Sequence, residues 1–454
     1  MLRALDPLFM ELQRPDADLL YLVLKGGRDE ALAKQLLPKK RVLTLQRKRR
    51  SPSCAALSTG DLLRWTNLKA VAKAAHLGAF MLSHRGTHEL TKWSQTSKIP
   101  LISTSLKDQL HFEDKIWFDR LLAAHRVPKP KSKVLRASVV KTLPFPGRVV
   151  LQKPLSFGGV GTFFLDRPSD LRALLGEGLV SKGERLLARA FLPGKTYGIT
   201  IWIGHDTVAC SALREQCFFP ESKKGVGSAP EPRIFAGVQW IPTASLGSKV
   251  STSISAVFSR LGRVFHKKRF FGFANFDFIV TPEGHIAVLE CNPRLSSATP
   301  QLVAVPELIH NLPVGKWFIE ETLTPKPYAR TPKVFGLPAV AYQGALFDIP
   351  AWDPLSASVP QALLITREPQ IGRYFKSASK FLGPNLQSLR NRAGEFMFFS
   401  EHKKGERVTV DETIGTIISH RRLFRPSGMP SAEALQLMRE FQSARSEQRA
   451  LSGK

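Results

Sequence analysis

Cysteine is scarce in this chain, and long apolar runs are missing from it. The four cysteines form no C-x-x-C pair and have no histidine at the spacing of a zinc site, which argues against a structural metal and a disulfide framework. This pattern favours a reducing compartment. No run of about 18 apolar residues occurs, so a membrane-spanning helix is not expected. These absences predict a soluble, cytoplasmic protein.

Acidic residues are also few, since 37 Asp and Glu stand against 66 Lys and Arg and the net charge is +29. Such an excess attracts polyanions, so ATP, nucleic acid and anionic membrane surfaces are all candidates. Two basic runs, Lys39–Arg41 and Arg47–Arg50, have the charge that a phosphate backbone requires. They lack interleaved aromatic residues, and the apolar residues between them (Val42, Leu43 and Leu45) indicate a buried strand. Nucleic-acid binding is therefore the less favoured alternative.

The length of 454 residues, with 43% apolar residues, predicts a folded chain of more than one domain. Short apolar runs alternate with helical patterns as far as Thr104, which predicts a small α/β layer with a mainly parallel sheet. An amphipathic helix over Glu113–His125, stopped by Val127–Pro130, opens a second, α+β region. We expect an N-terminal α/β domain, a small subdomain with its linker helix, a large subdomain and a C-terminal α+β extension (residues 1–110, 111–186, 187–323 and 324–454).

The strongest local signal is a pair of strand-like runs joined by a short turn. Phe273–Val280 and His285–Asn292 flank Thr281–Gly284, whose proline and glycine predict a β-hairpin. The simplest register pairs Val280 with His285. The hairpin then determines which side chains meet.

This register brings acidic and amide side chains together on one face of the hairpin. Asp277 lies opposite Val288, and Glu290 lies diagonally from Asp277 on the same face, because side chains alternate along a strand. Asn275 and Asn292 share this face, and the other face is apolar (Phe276, Phe278, Leu289 and Cys291). Two carboxylates and a carboxamide make the all-oxygen set that Mg2+ prefers. A solvated face with ordinary ion pairs is the alternative that the hairpin alone leaves open.

A glycine-rich loop and two lysines precede this hairpin. Gly158, Gly159 and Gly161 allow positive φ angles and let backbone N–H groups converge on an anion. Lys153, at the end of the preceding strand, and Lys115, on the preceding helix, each place a cation within the same region. Taken alone, these residues are better explained by a flexible hairpin tip and solvated lysines.

Taken in order, these elements resemble the ATP-grasp superfamily, in particular its carboxylate-amine ligases and its carbamoyl-phosphate-synthase-like and biotin-carboxylase-like members. The resemblance covers roughly residues 114–299. It implies an ATP-grasp fold with an N-terminal pre-ATP-grasp domain and a C-terminal extension. The segments that carry it are Asp114–Lys115 with Val127–Pro130, Gln152–Pro154 with Gly158–Gly161, Phe191–Tyr197, and Asp277 with Glu290–Arg294.

The resemblance implies an enzyme that uses ATP and Mg2+ or Mn2+ to activate a small-molecule carboxylate as an acyl phosphate and join it to an amine. ATP would be bound by Lys115, Lys153, Gly158, Gly159, Gly161, Arg189, Phe191 and Leu192. The metal would be held by Asp277, Glu290 and Asn292. Catalysis would depend on Lys153 and Arg294, and the carboxylate substrate would be held by Arg214 and Arg294. The resemblance also allows a homodimer.

The hinge segment departs from the pattern of many relatives. In those proteins an acidic residue just before the hinge aromatic binds the adenine amino group or the ribose hydroxyls, whereas Leu187–Phe191 contains no carboxylate and Glu184 is the nearest acid upstream. A non-catalytic nucleotide-binding protein is therefore one alternative. A carboxylase-like enzyme that uses bicarbonate is another, and its biotin would sit on a separate chain because no Met-Lys-Met attachment site occurs.

Overall fold

The computed structural model describes the chain in segments. They are residues 21–24, 42–45, 80–83, 85–138, 142–156, 161–219, 235–350, 354, 362–365, 372–375, 377–383, 395–400, 407–409, 413–443 and 446–447. The basic runs Lys39–Arg41 and Arg47–Arg50, and the glycines Gly158 and Gly159, lie outside these residues. The predictions made for them stay predictions.

Two parallel strand pairs form the described part of the N-terminal region. Its elements are β1 (Tyr21–Leu24), β2 (Val42–Leu45), β3 (Met81–Leu82), α1 (His88–Ser97) and β4 (Leu101–Ile102). β1 pairs in parallel with β2, and β3 pairs in parallel with β4. This arrangement agrees with the α/β layer predicted from the alternating pattern.

Two helices, α2 (Leu106–Glu113) and α3 (Lys115–Ala124), meet at Asp114. The sequence predicts one helix from Glu113, but α3 begins two residues later because Asp114 has an extended conformation and caps it. The Asp114 carboxylate accepts hydrogen bonds of 2.8 and 3.0 Å from two amides of the first turn of α3. This junction places Glu113 and Lys115 one residue on either side of the cap.

A four-stranded antiparallel sheet follows, in the order β5-β8-β6-β7. Its strands are β5 (Ser132–Arg136), β6 (Val149–Gln152), β7 (Thr162–Leu165) and β8 (Arg185–Ala190), and its helix is α4 (Pro168–Gly176). Leu151 and Ala188 share a core with Leu171 and Leu174 of α4. The opposite face of the sheet turns toward α3. The boundary expected after residue 186 falls inside β8, all of which belongs to this small sheet.

The large sheet begins with strands in the order β14-β13-β9-β11-β12. These are β9 (Lys195–Ile203), β10 (Thr207–Cys210), β11 (Leu213–Phe218), β12 (Phe235–Ile241), β13 (Gly272–Val280) and β14 (Ile286–Asn292), and the long helix is α5 (Ser248–Lys267). Phe258 of α5 packs on Phe276 and Phe278 of β13, with ring centroids 5.8 and 4.9 Å apart. One face of β13 is therefore held in an aromatic core.

Most described strands of the C-terminal region continue this sheet, and three others form a small sheet of their own in the order β21-β17-β23. β12 pairs with β16, and the order then runs β16-β22-β20-β18-β19. Gly237 of β12, with a φ of 139°, lies so close to Leu346 that an added Cβ would collide with the Leu346 carbonyl. The remaining elements are α6 (Thr299–Ala304), α7 (Val314–Leu323), β15 (Lys333–Phe335), β16 (Ala345–Pro350), β17 (Ala362–Ile365), β18 (Gly372–Phe375), β19 (Ser377–Gly383), β20 (Glu395–Ser400), β21 (Arg407–Thr409), β22 (Thr413–Ser419), α8 (Ala432–Ser443) and β23 (Ser446–Glu447). Within the described ranges, no helix is both long enough and apolar enough to span a bilayer.

Candidate active site

The predicted hairpin forms from β13 and β14, but its register at the turn differs from the predicted one. Val280 pairs with Ile286 and not with His285. The physical reason is that His285 belongs to the turn, where its carbonyl accepts a 2.9 Å hydrogen bond from the Thr281 amide. The pairing of Val280 with His285 is therefore wrong by one residue.

A β-bulge at Leu289 then changes which residues meet further along the hairpin. Phe278 pairs with Val288 while Asp277 pairs with Glu290, so Leu289 is the extra residue in β14. Val288 is fully buried and Leu289 only partly buried, which reverses their predicted positions. Asp277 does not lie opposite Val288 as predicted. It lies directly opposite Glu290, and the two carboxylates form what we call the acidic face.

Polar side chains from three other places reach the acidic face. Gln216 donates a 2.8 Å hydrogen bond from Nε2 to Asp277 Oδ1. The ammonium nitrogen of Lys115 lies 3.4 Å from Glu290 Oε2. The amide of Asn292 donates to Glu290 Oε1 at 3.4 Å. Each carboxylate is therefore oriented by a neighbour that does not belong to the opposite strand.

The two carboxylates have different affinities for a proton. Burial, together with the charge of Glu290, raises the pKa of Asp277 to about 7. Burial also opposes ionisation of Glu290, but the Lys115 ammonium, the hydrogen bonds to Asp277 and Asn292 and the charge of Arg189 together outweigh it, and the pKa of Glu290 lies below its usual range. The acidic face therefore has one firmly ionised carboxylate and one that gains a proton near neutral pH when no cation is present.

This donor set fits a divalent cation. Two carboxylates in direct cross-strand register repel each other unless a proton or a cation lies between them, and hard oxygen ligands suit Mg2+ or Mn2+. Asn292 could add an amide oxygen, which accepts a hydrogen bond from Arg294 at 3.2 Å. Over the described residues, no group of three or more His, Cys, Asp or Glu side chains forms a metal cage. The side chain of Glu290 is 29% exposed, so its carboxylate is accessible to a ligand from solvent.

Glu113, at the end of α2, joins two arginines beside the acidic face. Its carboxylate lies 2.7 Å from a terminal nitrogen of Arg85 and 3.2 Å from Nε of Arg294, and its side chain is only 3% exposed. Arg294 also donates to Asn292. Glu113 therefore connects the loop after β3 to the arginine that the sequence predicts to bind the carboxylate substrate.

The two predicted phosphate-binding lysines have different surroundings. Lys115 is buried, and besides Glu290 its ammonium donates to the Ser156 carbonyl at 3.0 Å. Lys153 lies 3.4 Å from Glu184, and its amide donates to the Gly161 carbonyl at 2.9 Å. Lys115 thus joins the acidic face to the segment after β6, whereas Lys153 pairs with a carboxylate just before β8.

The hinge carries a buried arginine instead of an acid. Arg189 is 2% exposed and donates to Gln152 Oε1 at 3.0 Å and to Asp119 Oδ1 at 3.4 Å. Burial lowers the pKa of Arg189, and Asp119 opposes that effect. Asp119 also accepts from Lys129 and Ser132, at 2.9 and 2.7 Å. The carboxylate that the hinge sequence lacks is therefore supplied next to Arg189 by α3.

The hinge residues beyond Arg189 are more accessible. Phe191 is 36% exposed, and its ring lies 6.2 Å from Phe164 and 5.8 Å from the Arg148 guanidinium. Leu192 is partly buried. This segment therefore presents a partly exposed aromatic ring to solvent.

Arg214 lies beneath the site instead of at its surface. It donates to Thr200 Oγ1 at 2.8 Å and to Asn275 Oδ1 at 3.3 Å, and it is 5% exposed. Burial lowers the pKa of Arg214 to about 10, and the nearby Asp277 opposes that effect. The geometry therefore gives Arg214 a place behind the acidic face, with little of the guanidinium open to a substrate.

Sequence reasoning did not find four residues that take part in these networks. Gln216 follows Arg214 by two positions on β11 and so shares its face, and Asp119 follows Lys115 by one helical turn. These spacings were usable signals. Glu113 and Arg85 had no comparable signal, because they lie 28 residues apart and Glu113 lies 181 residues from Arg294.

No protein-family model matches the sequence, and no curated protein matches it. Solved structures do match. The biotin carboxylase domain dimer of 2-oxoglutarate carboxylase from Hydrogenobacter thermophilus, in complex with MgADP, ADP and bicarbonate, has a TM-score of 0.59 at 14% identity over 92% of this chain and 84% of that chain. Biotin carboxylase from Campylobacter jejuni, in a β,γ-ATP complex, has a TM-score of 0.60 at 14% identity over 93% of this chain and 85% of that chain.

A longer enzyme contains the same architecture. Pyruvate carboxylase from Rhizobium etli, with the activator acetyl coenzyme A, has a TM-score of 0.56 at 12% identity over 92% of this chain and 36% of that chain. At these identities the likeness concerns the fold. The fold predicted from the sequence is confirmed, and the chain has the ATP-grasp fold that these biotin carboxylases share.

Proposed function

We propose that this chain is an ATP- and divalent-metal-dependent ligase that activates a carboxylic acid as an acyl phosphate and transfers the acyl group to an amine. The observation that carries the proposal is the acidic face, where Asp277 lies directly opposite Glu290 and Lys115 lies beside them. The similar biotin carboxylase structures contain MgADP or a β,γ-ATP ligand, which supports nucleotide binding within this fold. Asp277, Glu290 and Asn292 are the proposed metal ligands.

In the proposed reaction an oxygen of the substrate carboxylate attacks the γ-phosphorus, the bond from that phosphorus to the bridging oxygen breaks, and ADP leaves. The amine nitrogen then attacks the acyl carbon, loses a proton, and inorganic phosphate leaves. When bound, the divalent cation supplies positive charge against the phosphate oxygens. Lys115 would add a fixed charge, since its ammonium already lies between Glu290 and the Ser156 carbonyl.

Arg294 is the proposed ligand of the substrate carboxylate. Two of its nitrogens are engaged, Nε by Glu113 and one terminal nitrogen by Asn292. Its third nitrogen has no partner among the residues that the structure describes. A guanidinium held at two points has lost most of its freedom before the substrate arrives, so the cost of ordering it on binding is small. Arg214 would support this site from behind through Asn275.

The hinge is the proposed nucleotide site. Phe191 offers a partly exposed ring for the base, and Leu192 continues the same hinge segment. Arg189 and Lys153 would contribute positive charge, Lys153 by exchanging Glu184 for a phosphate oxygen. The loop that would cover the phosphates contains Gly158, Gly159 and Gly161.

The test is ADP release with Mg2+ and ATP, screened against pools of amino acids and other carboxylates. We expect release that depends on one pool and that falls at least about 100-fold in Glu290→Ala, because a metal ligand is lost. The matched control is Glu283→Ala, which removes a fully solvent-exposed carboxylate from the turn of the same hairpin and should leave the rate unchanged. Equal release by wild type and Glu290→Ala would refute the assigned metal site.

A carboxylase-like reaction is the second candidate, because one of the similar structures contains bicarbonate. Bicarbonate would then replace the organic carboxylate at Arg294. ADP release that requires bicarbonate and no other carboxylate would favour this candidate over the ligase. That structure is also a domain dimer, so a homodimer is part of the proposal and sedimentation of the full chain tests it.

A further inference from the structure

A cleft of about 650 Å3 opens along the outer side of α5. Five Ser or Thr hydroxyls and two guanidinium groups, those of Arg260 and Arg263, line it, with Ala256 and Leu337 as its apolar part. No carboxylate belongs to this lining in the part of the chain that the structure describes. The cleft therefore carries two cations and several hydroxyl groups on a lining whose exposed surface is otherwise largely apolar.

This cleft lies across the large sheet from the acidic face. Phe258 of α5 packs on Phe276 and Phe278, and the residue between those two, Asp277, points to the other side of β13. The cleft opens on the side of α5 that faces away from this core. It is therefore separate from the proposed catalytic site.

The sequence of α5 is unusual for a long surface helix. Its 20 residues include no acidic residue, and Ser251, Ser255, Ser259 and Arg263 repeat every four positions, which places them in one row along the helix. Serine and threonine weaken helix interiors because their hydroxyls compete for backbone hydrogen bonds. A row of these residues along one side of a helix therefore indicates a role that offsets the loss of helix stability.

Local hydrogen bonds account for part of this row and leave donors available. Ser251 donates to the Thr243 carbonyl at 2.7 Å, so its proton is used. Ser255 accepts from the Leu337 amide at 3.1 Å, so its own proton can be donated to another group. Thr252 also lines the cleft, and its hydroxyl group has no hydrogen-bond partner among the described residues. Ser255 and Thr252 can therefore both donate to a ligand.

The two guanidiniums have no carboxylate partner among the residues that the structure describes. Arg260 donates to the Arg126 carbonyl at 3.4 Å, and neither Arg260 nor Arg263 pairs with a carboxylate in the described segments. Both are solvent-exposed and lie three positions apart on α5, on adjoining rows. Two unpaired cations beside hydroxyl donors match an anion that has several oxygen atoms.

We propose that this cleft binds a small phosphate monoester whose carbon part carries hydroxyl groups. Arg260 and Arg263 would bind the phosphate oxygens, with Ser255 and Thr252 donating to the phosphate or to the ligand hydroxyls. The carbon part would lie on Leu337. The volume of about 650 Å3 exceeds what phosphate alone would fill and lies within the usual range for small-molecule sites.

The test is calorimetric titration of the full chain with glucose 6-phosphate, in saturating MgADP so that a nucleotide site cannot take up the probe. We expect saturable binding, and a dissociation constant raised at least about tenfold in Arg260→Gln/Arg263→Gln because two charge-assisted contacts are lost. The matched control is Lys249→Gln/Lys267→Gln, which removes two charges from the same helix but from outside the cleft lining. It should change the constant by less than about twofold.

The outcomes separate a built site from general charge attraction. Glucose should bind at least about tenfold more weakly than glucose 6-phosphate, and inorganic phosphate should bind at the same two arginines. Melting curves would check that all variants remain folded, which we expect because the four positions are exposed. No saturable binding by wild type, or equal weakening by the two double variants, would overturn the proposal.

Discussion

Replacing Glu113 with glutamine should separate binding of the carboxylate substrate from binding of the nucleotide. Glu113 is 3% exposed and makes two charge-assisted contacts, at 2.7 Å to Arg85 and 3.2 Å to Arg294. Glutamine keeps the shape but removes the charge, and its NH2 group must face one of the two guanidiniums. A hydrogen bond to a charged group contributes about 1.5–3 kcal/mol, so losing one of the two should lower the free energy of unfolding by about 2 kcal/mol.

The same loss should appear in the reaction through Arg294. If about 1.4–2.8 kcal/mol of its positioning is lost, the KM for the carboxylate should rise about 10- to 100-fold while the affinity for MgADP stays unchanged. ADP release at saturating ATP, with the carboxylate varied, measures the first quantity, and calorimetry with MgADP measures the second. The matched control is Glu321→Gln, which alters another buried carboxylate, held by His205 at 2.6 Å.

Glu321→Gln should lower the stability without changing the KM. If both variants raised the KM equally, or if Glu113→Gln changed only the stability, then Glu113 would be a structural residue and the argument for Arg294 would fail. A double variant, Glu113→Gln/Arg85→Met, should recover part of the stability because it removes one of the two guanidiniums that compete for the uncharged side chain. Chemical unfolding of the four proteins measures that recovery.

Two further predictions concern the acidic face and the hinge. Because the pKa of Asp277 is raised to about 7, from about 3.9 in an unfolded chain, the folded metal-free protein retains a proton and its stability should fall as the pH rises from about 4 to 7. Mg2+ must displace that proton, so the affinity for Mg2+ should fall about tenfold for each pH unit below 7. Mg2+ titrations in which Asp277→Asn kept the same pH dependence as the wild type would contradict this. At the hinge, Arg189→Leu should lower the free energy of unfolding by about 1–3 kcal/mol, because Asp119 is left with fewer partners. In urea unfolding, Arg189→Leu/Asp119→Leu should recover part of that loss. Purely additive losses in the two single variants and the double variant would disprove the pairing.

The acidic face could be predicted because it depends on local regularities. Alternation in the predicted register places Asp277 and Glu290 on one side of the hairpin, and the structure agrees because the bulge at Leu289 offsets the one-residue shift at the turn. The exact pairing was not predictable, because Val288 and Leu289 are both apolar and either could be the inward residue. Only the closed turn and the bulge decide between them. One extra residue within a run of apolar residues cannot be recognised from the sequence pattern.

The contacts that organise the rest of the site are long-range, and no local sequence pattern indicates them. Arg85, Glu113 and Arg294 meet only because the loop after β3, the end of α2 and the end of β14 converge. Similarly, the hinge lacks an acid in its own segment, yet Asp119 reaches Arg189 from α3, 70 residues away in sequence. Sequence patterns indicate only residues that are close along the chain, whereas these partners are close only in the folded molecule.

The hydrogen bonding of β16 to β12 has a practical consequence for work with this protein. A fragment ending before Ala345 would leave β12 with a row of unsatisfied amides and carbonyls, at a place where Gly237 permits unusually close approach of another backbone. Such an edge recruits strands from other molecules. A chain truncated there would thus be expected to aggregate, and biochemical work requires the residues from Ala345 onward.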